Sequence, residues 1–149
     1  MTVQIRIAGL SDLELLAPLF DGYRQFYGQA ADLALATAFL RERIMRNESV
    51  LFLAETPEGT AGLAQFYPSF TSVGAARLWI LNDLFVNPDC RGRGVASALL
   101  EAVAAYSRQT GAARLSLSTA VTNHKAQALY ERHGWRKDID YFYYQLPTR

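Results

Sequence analysis

Residues 81–96 constrain this chain most, because they encode a strand, a stop and a helix start without a break. The apolar run 78–86 has strand length and carries the β-formers Trp79, Ile80, Phe85 and Val86. Asn87-Pro88-Asp89 ends it, since proline cannot donate to a ladder and all three residues favour turns. Val95, Leu99, Ala102 or Val103, and Tyr106 then keep helical spacing. Between the two lies Arg91-Gly92-Arg93-Gly94. Glycines let the backbone bend into a nest of N–H groups, the start of a helix presents further N–H groups and partial positive charge, and arginines add charge-assisted bonds. The stretch therefore suits a polyanion, although a surface turn with a solvated arginine pair has the same composition.

Two common phosphate loops do not fit. A P-loop needs Gly-Lys-Ser/Thr, and Val95-Ala96 follows Gly94 instead. The dinucleotide fingerprint has Ser97 at its third glycine, and no acidic residue stands in Thr119-Ala120-Val121-Thr122 after the next strand. A third pattern fits. Arg91-Gly92-Arg93-Gly94-Val95-Ala96 resembles R/Q-x-x-G-x-G/A, the acyl-CoA pyrophosphate loop of the GNAT superfamily of N-acetyltransferases. Downstream, Asn123, Ala126, Leu129, Tyr130, Gly134 and Trp135 resemble the family element N-x-x-A-x-x-L-Y-x-x-x-G-F, with tryptophan in place of phenylalanine.

The resemblance covers almost the whole chain and implies one domain over residues 1–149. It implies an α/β (α+β) GNAT fold, a mixed, mostly antiparallel sheet of about seven strands with about four helices. The sequence agrees in order. Alternation at Val3, Ile5 and Ile7 predicts a strand, and helices follow over 11–27, which Pro18 should kink or divide, and over 30–46. Strands at 50–55 and 61–67 flank the turn Thr56-Pro57-Glu58-Gly59-Thr60. After the helix over 95–110, Gly111 suits a C-cap, and a strand over 113–118 should run parallel to 78–86. A helix from Asn123 to Gly134 and closing strands at 135–138 and 141–146 complete the reading.

Asn82 and Asp83 interrupt the apolar strand, and alternation fails around them, which predicts a β-bulge. By resemblance, the strand splays there from its parallel neighbour and receives the pantetheine arm of acetyl-CoA, which assigns Leu84, Phe85 and Val86 to backbone contacts. The same resemblance assigns Arg91, Gly92, Arg93, Gly94, Val95, Ala96 and Ser97 to the phosphates. Asn123 is assigned to the pantetheine or phosphate region, although helix capping also accounts for it. Tyr130 is assigned as general acid to the departing thiolate, although it also belongs to a helical stripe with Ala126, Leu129 and His133. Asp83 is either the base that takes the amine proton or an anchor for a cationic substrate. Asn82, Tyr27 and Tyr67 are candidate acceptor contacts within an aromatic set that also holds Tyr23, Phe26, Phe66 and Phe70.

Composition limits the alternatives. Half of the 149 residues are hydrophobic, and the net charge is +1, so no global field recruits nucleic acid or an anionic membrane. Cys90 is the only cysteine, which excludes an internal disulfide and a cysteine-rich zinc site, and no metal is expected. With no secretory or membrane-spanning pattern, the expected location is the cytoplasm. The expected activity is transfer of acetyl from acetyl-CoA to a primary amine in a ternary complex. The expected assembly, by resemblance, is a homodimer. Two other functions share the phosphate loop: an acetyl-CoA sensor without turnover, and an acetyltransferase acting on a protein or a tRNA-linked amine, for which Arg41, Arg43 and Arg46 form the one modest basic cluster.

Overall fold

The computed structural model describes residues 2–149. Their contacts divide them into two compact units, one ending at Ser118 and the other Thr119–Arg149. The first unit contains β1 (Gln4–Ile7), α1 (Leu13–Phe26), α2 (Leu33–Met45), β2 (Val50–Thr56), β3 (Gly59–Thr71), β4 (Ala76–Val86), α3 (Val95–Gln109) and β5 (Leu115–Ser116). The second contains α4 (His124–Arg132). The sheet runs β1-β2-β3-β4-β5. Its first three pairings are antiparallel and β4–β5 is parallel, as a crossover through α3 requires. This is the mixed, mostly antiparallel α/β arrangement that the family resemblance implies.

The pleat divides the first unit's core. On one face Leu51, Leu53, Leu63 and Phe85 meet Leu16, Leu19 and Phe20 of α1 and Leu40 of α2. On the other, Phe52, Phe66, Trp79 and Tyr106 of α3 form an edge-to-face cluster with ring centroids 5.2 to 5.7 Å apart. The Trp79 indole N–H donates to Thr110 Oγ1 at 3.0 Å, so its polar end is satisfied within the apolar layer. Phe66 is fully buried here, and Phe70 is exposed beside Arg77, so neither joins the aromatic set expected at the acceptor site.

The sheet has five strands among the described residues, not about seven. No strand forms in 135–149, and residues 141–144 are exposed although Tyr-Phe-Tyr-Tyr is rich in β-formers. Strand propensity expresses fit to a paired, half-buried surface, so without a ladder partner it specifies nothing. The last strand, expected over 113–118, is reduced to Leu115–Ser116. Pro18 does not divide α1. It removes one N–H, but Leu16, Ala17, Leu19 and Phe20 are buried on both sides of it, and this packing holds the helix together. Gly111 ends α3 with φ +71°, a left-handed conformation that glycine adopts without strain.

Candidate active site

The register of β3 against β4 locates the bulge. Gln65 pairs with Asp83 and Phe66 with Leu81, leaving Asn82 as the extra residue. The consequence is a change of face: Trp79 packs on Tyr106 of α3, whereas Phe85 packs on Tyr23 of α1. Asp83 is thereby turned inward, 1% exposed, while Asn82 is exposed.

Burying a carboxylate requires donors, and two side-chain amides supply them, with the Tyr23 hydroxyl beside them. Gln65 Nε2 donates to Asp83 Oδ2 at 2.5 Å, and Asn82 Nδ2 donates to Oδ1 at 2.8 Å. The Tyr23 hydroxyl donates its proton to the Asn82 carbonyl oxygen at 2.9 Å and lies close enough to Asp83 to favour its charged form. Burial pushes the Asp83 carboxyl above its ordinary 3.8, while these three groups pull it back. Burial and the Asp83 charge likewise raise the hydroxyls of Tyr23 and Tyr67 above their ordinary 10. Tyr27 stacks edge-on against Tyr23 with centroids 5.1 Å apart and is 55% exposed. The first unit thus gathers Asn82, Asp83, Tyr23, Tyr27 and Tyr67 on its α1 face. Gln65 escapes sequence reasoning, although one glutamine within Gly62-Leu63-Ala64-Gln65-Phe66 is the signal that could mark it.

On the other edge, β4 pairs with β5 only at Trp79–Leu115 and Ile80–Ser116. Past Ile80, through Leu84, Phe85 and Val86, no strand pairs with that edge of β4 among the described residues. The backbone groups on that edge that no side chain engages can pair with a ligand that has amides of its own. The strand then leads through Pro88–Cys90, with Cys90 buried, to Gly92 and Gly94 at φ +76° and +80°. Gly94 is the N-cap of α3 and offers no side chain to its N–H groups, so Val95, Ala96 and Ser97 begin a helix whose positive end is open to an anion.

The two arginines diverge. Arg91 Nε donates to the Val86 carbonyl at 3.2 Å, with its guanidinium over Phe85 at 5.5 Å and Phe26 at 6.0 Å. It lines a cavity of about 580 Å³ with Pro18, Gly22 and Phe26 of α1. Arg93 pairs with Glu58 at 3.3 Å. On α2, Arg43 and Arg46 pair with Glu42, and Arg43 also with Glu48, so the basic cluster of that helix is largely neutralised.

In the second unit, Asn123 Oδ1 accepts from the Ala126 N–H at 3.1 Å and caps α4. Ala126, Leu129, Tyr130 and His133 are each half-buried, the stripe their spacing predicts. The Tyr130 ring lies 6.1 Å from that of Trp135, beyond the turn at Gly134 with φ +87°. Among the described residues no cluster of histidine, cysteine and carboxylate side chains could hold a metal, and no helix is long and apolar enough to cross a membrane.

A bulged strand leading to a glycine loop and a helix start is the arrangement that the acetyltransferase resemblance implies, and comparison with known proteins agrees. The profile of the acetyltransferase (GNAT) family matches residues 15–135, and the chain belongs to that family. It is 45% identical over 144 residues to the uncharacterized N-acetyltransferase YhfO of Bacillus subtilis, covering 97% of each chain. A crystal structure of a probable acetyltransferase superposes with a TM-score of 0.93 at 42% identity, covering 98% of each chain. An aminoglycoside N-acetyltransferase in complex with CoA shares the fold, with a TM-score of 0.79 at 21% identity over 97% of this chain and 95% of the other. The protein is an acetyltransferase.

Proposed function

We propose that the enzyme transfers acetyl from acetyl-CoA to the primary amine of a small molecule or peptide. The observation that carries this reading is the unpaired edge of β4 past Ile80, continuous with the left-handed glycines that open α3. Residues 84–86 would bond the pantetheine amides, and Gly92, Gly94 and the first turn of α3 would hold the pyrophosphate. Acetyl-CoA supplies the activated acyl group. The CoA complex of the aminoglycoside enzyme, on the same fold, supports this choice of donor.

An alkylammonium must lose its proton before it can attack. Asp83 takes that proton through a water oriented by Asn82 and Tyr23, because the carboxylate itself is buried. The raised affinity of Asp83 for a proton makes it a better base than an exposed aspartate. The N–C bond forms, the C–S bond breaks, and the leaving thiolate takes a proton from the general acid, a role that the family resemblance assigns to Tyr130; the second proton of the attacking amine, lost as the amide forms, restores that acid. Tyr27, Tyr67 and Asn82 contact the acceptor, and the aromatic rings suit an aliphatic amine. The same family resemblance supports one functional domain and a homodimer, which sedimentation tests.

Thiol release from acetyl-CoA, measured against polyamines, amino acids, aminoglycosides and a lysine peptide, tests the reaction. Release should follow one amine class and fall about a hundredfold or more in Tyr130→Phe. Tight acetyl-CoA binding with no release for any amine would replace transfer with sensing, and an unchanged rate in Tyr130→Phe would remove the assigned acid.

A further inference from the structure

The hydrogen bonds to Asp83 do not end at Gln65. Gln65 is fully buried, and its Oε1 accepts from the Ser49 hydroxyl at 2.8 Å, just before β2. The array therefore reads Ser49 Oγ–H to Gln65 Oε1, then Gln65 Nε2–H to Asp83 Oδ2, with every link from a donor to an acceptor. An ionised carboxylate only accepts, so it fixes the glutamine amide with its NH2 inward. This obliges Ser49 to donate.

A protonated Asp83 reverses the demand. Its carboxyl O–H needs an acceptor, and Gln65 supplies one if its amide turns over and presents Oε1. The NH2 then faces Ser49, whose hydroxyl oxygen accepts as readily as its hydrogen donates. Neither state leaves a buried polar atom of the glutamine without a partner. A buried group that gains and loses a proton otherwise strands a donor or an acceptor in one of its two states, at considerable cost. We propose that Ser49 and Gln65 form a reversible hydrogen-bond adapter, in which Gln65 turns over its amide as Asp83 takes up and releases a proton. Both are positioning residues that act through Asp83. The inference rests on the reading of Asp83 as a proton-exchanging group.

The other groups facing Asp83 do not take over this task. Tyr23 from α1 and Tyr67 from β3 stay neutral, since both hydroxyls are raised, and Tyr23 directs its proton to the Asn82 carbonyl, so the bond on Oδ2 that must reverse is the one at Gln65. Arg43 of α2 acts on Tyr67. Asn82 is exposed, so water completes its bonds in either state.

Carbon-13 and nitrogen-15 NMR of the full-length protein tests the adapter without relying on turnover. The Asp83 carboxyl resonance is assigned by its loss in Asp83→Asn, and the Gln65 side-chain amide by its loss in Gln65→Met. In the wild-type protein the Gln65 amide should shift with the same midpoint pH as the Asp83 carboxyl, and it should be silent in Asp83→Asn. In Gln65→Met the midpoint should rise by about one pH unit, a tenfold gain in proton affinity, because the charge-assisted bond that Gln65 donates to the carboxylate is stronger than the neutral bond it accepts from the protonated form, and both are gone. In Ser49→Ala it should stay near the wild-type value, since either amide orientation loses one bond. A Gln65 amide that ignores the Asp83 titration would overturn the adapter alone. Equal shifts in Ser49→Ala and Gln65→Met would reduce the array to ordinary packing and also overturn it. An Asp83 that never titrates would overturn both the adapter and the base.

Discussion

Gly62 on β3 offers a quantitative test of how β3, β4 and α3 fit together. A Cβ built at Gly62 lies 2.6 Å from the Phe85 carbonyl oxygen, 3.3 Å from Val86 Cα and 3.3 Å from Val95 Cγ1. The nearest atom is backbone, held in the β3–β4 ladder where Gly62 pairs with Val86 and Leu63 with Phe85. It cannot retreat by a rotamer change, so Gly62→Ala must spread β3 from β4. Overpacking of this kind costs about 1–3 kcal/mol. For a chain of this length each kcal/mol lowers Tm by about 2–4 °C, so a central value near 2 kcal/mol gives a fall of about 4–8 °C. Gly9→Ala is the control, with nothing within 4 Å of its Cβ and an extended φ of −131°. Thermal unfolding of both variants should show the fall in Gly62→Ala and near-identity with wild type in Gly9→Ala. Because the displaced residues are Phe85, Val86 and Val95, acetyl-CoA affinity should weaken in the same variant. A Gly62→Ala protein within about 1 °C of wild type would refute the close approach.

Two further outcomes follow from burial. The Asp83 carboxyl is held above 3.8 in the fold, so its contribution to stability is full below the unfolded value and is lost as pH rises through the raised one. Urea unfolding across about pH 4 to 7 should therefore show wild type losing stability relative to Asp83→Asn as pH rises, and a wild type that gains stability relative to Asp83→Asn over that range would contradict the burial. Phe66 is fully buried among Phe52, Trp79 and Tyr106, so Phe66→Ala should cost about 3–5 kcal/mol by denaturant titration. A cost below about 1 kcal/mol would mean that the cluster collapses onto the gap.

The features legible in the sequence are those set by neighbours along the chain. The bulge at Asn82 shows as failed alternation, and the loop shows as two glycines before a helical pattern. Gly111, Gly134 and the Asn123 cap show as single residues with one conformational purpose. What escaped depends on pairing at a distance. Gln65 and Asp83 are 18 residues apart, and Ser49 and Gln65 are 16 apart, joined only by register. The intact α1 across Pro18 follows from burial on both sides of the proline, which local helix rules do not contain. The aromatic run at 141–144 has strand propensity and no strand partner, so propensity alone misreads it. Arg91 and Arg93 look equivalent in sequence but turn to Phe85 and Glu58 respectively.

The most direct test of the account is calorimetric titration of acetyl-CoA into the protein, with Gly94→Val alongside wild type. Gly94 sits at φ +80°, where a branched side chain costs about 1–2 kcal/mol, so the variant should bind about tenfold more weakly. The account predicts one saturable site per chain in wild type and that loss in the variant. Absence of saturable binding in the wild-type protein, or equal affinity in both, would contradict it.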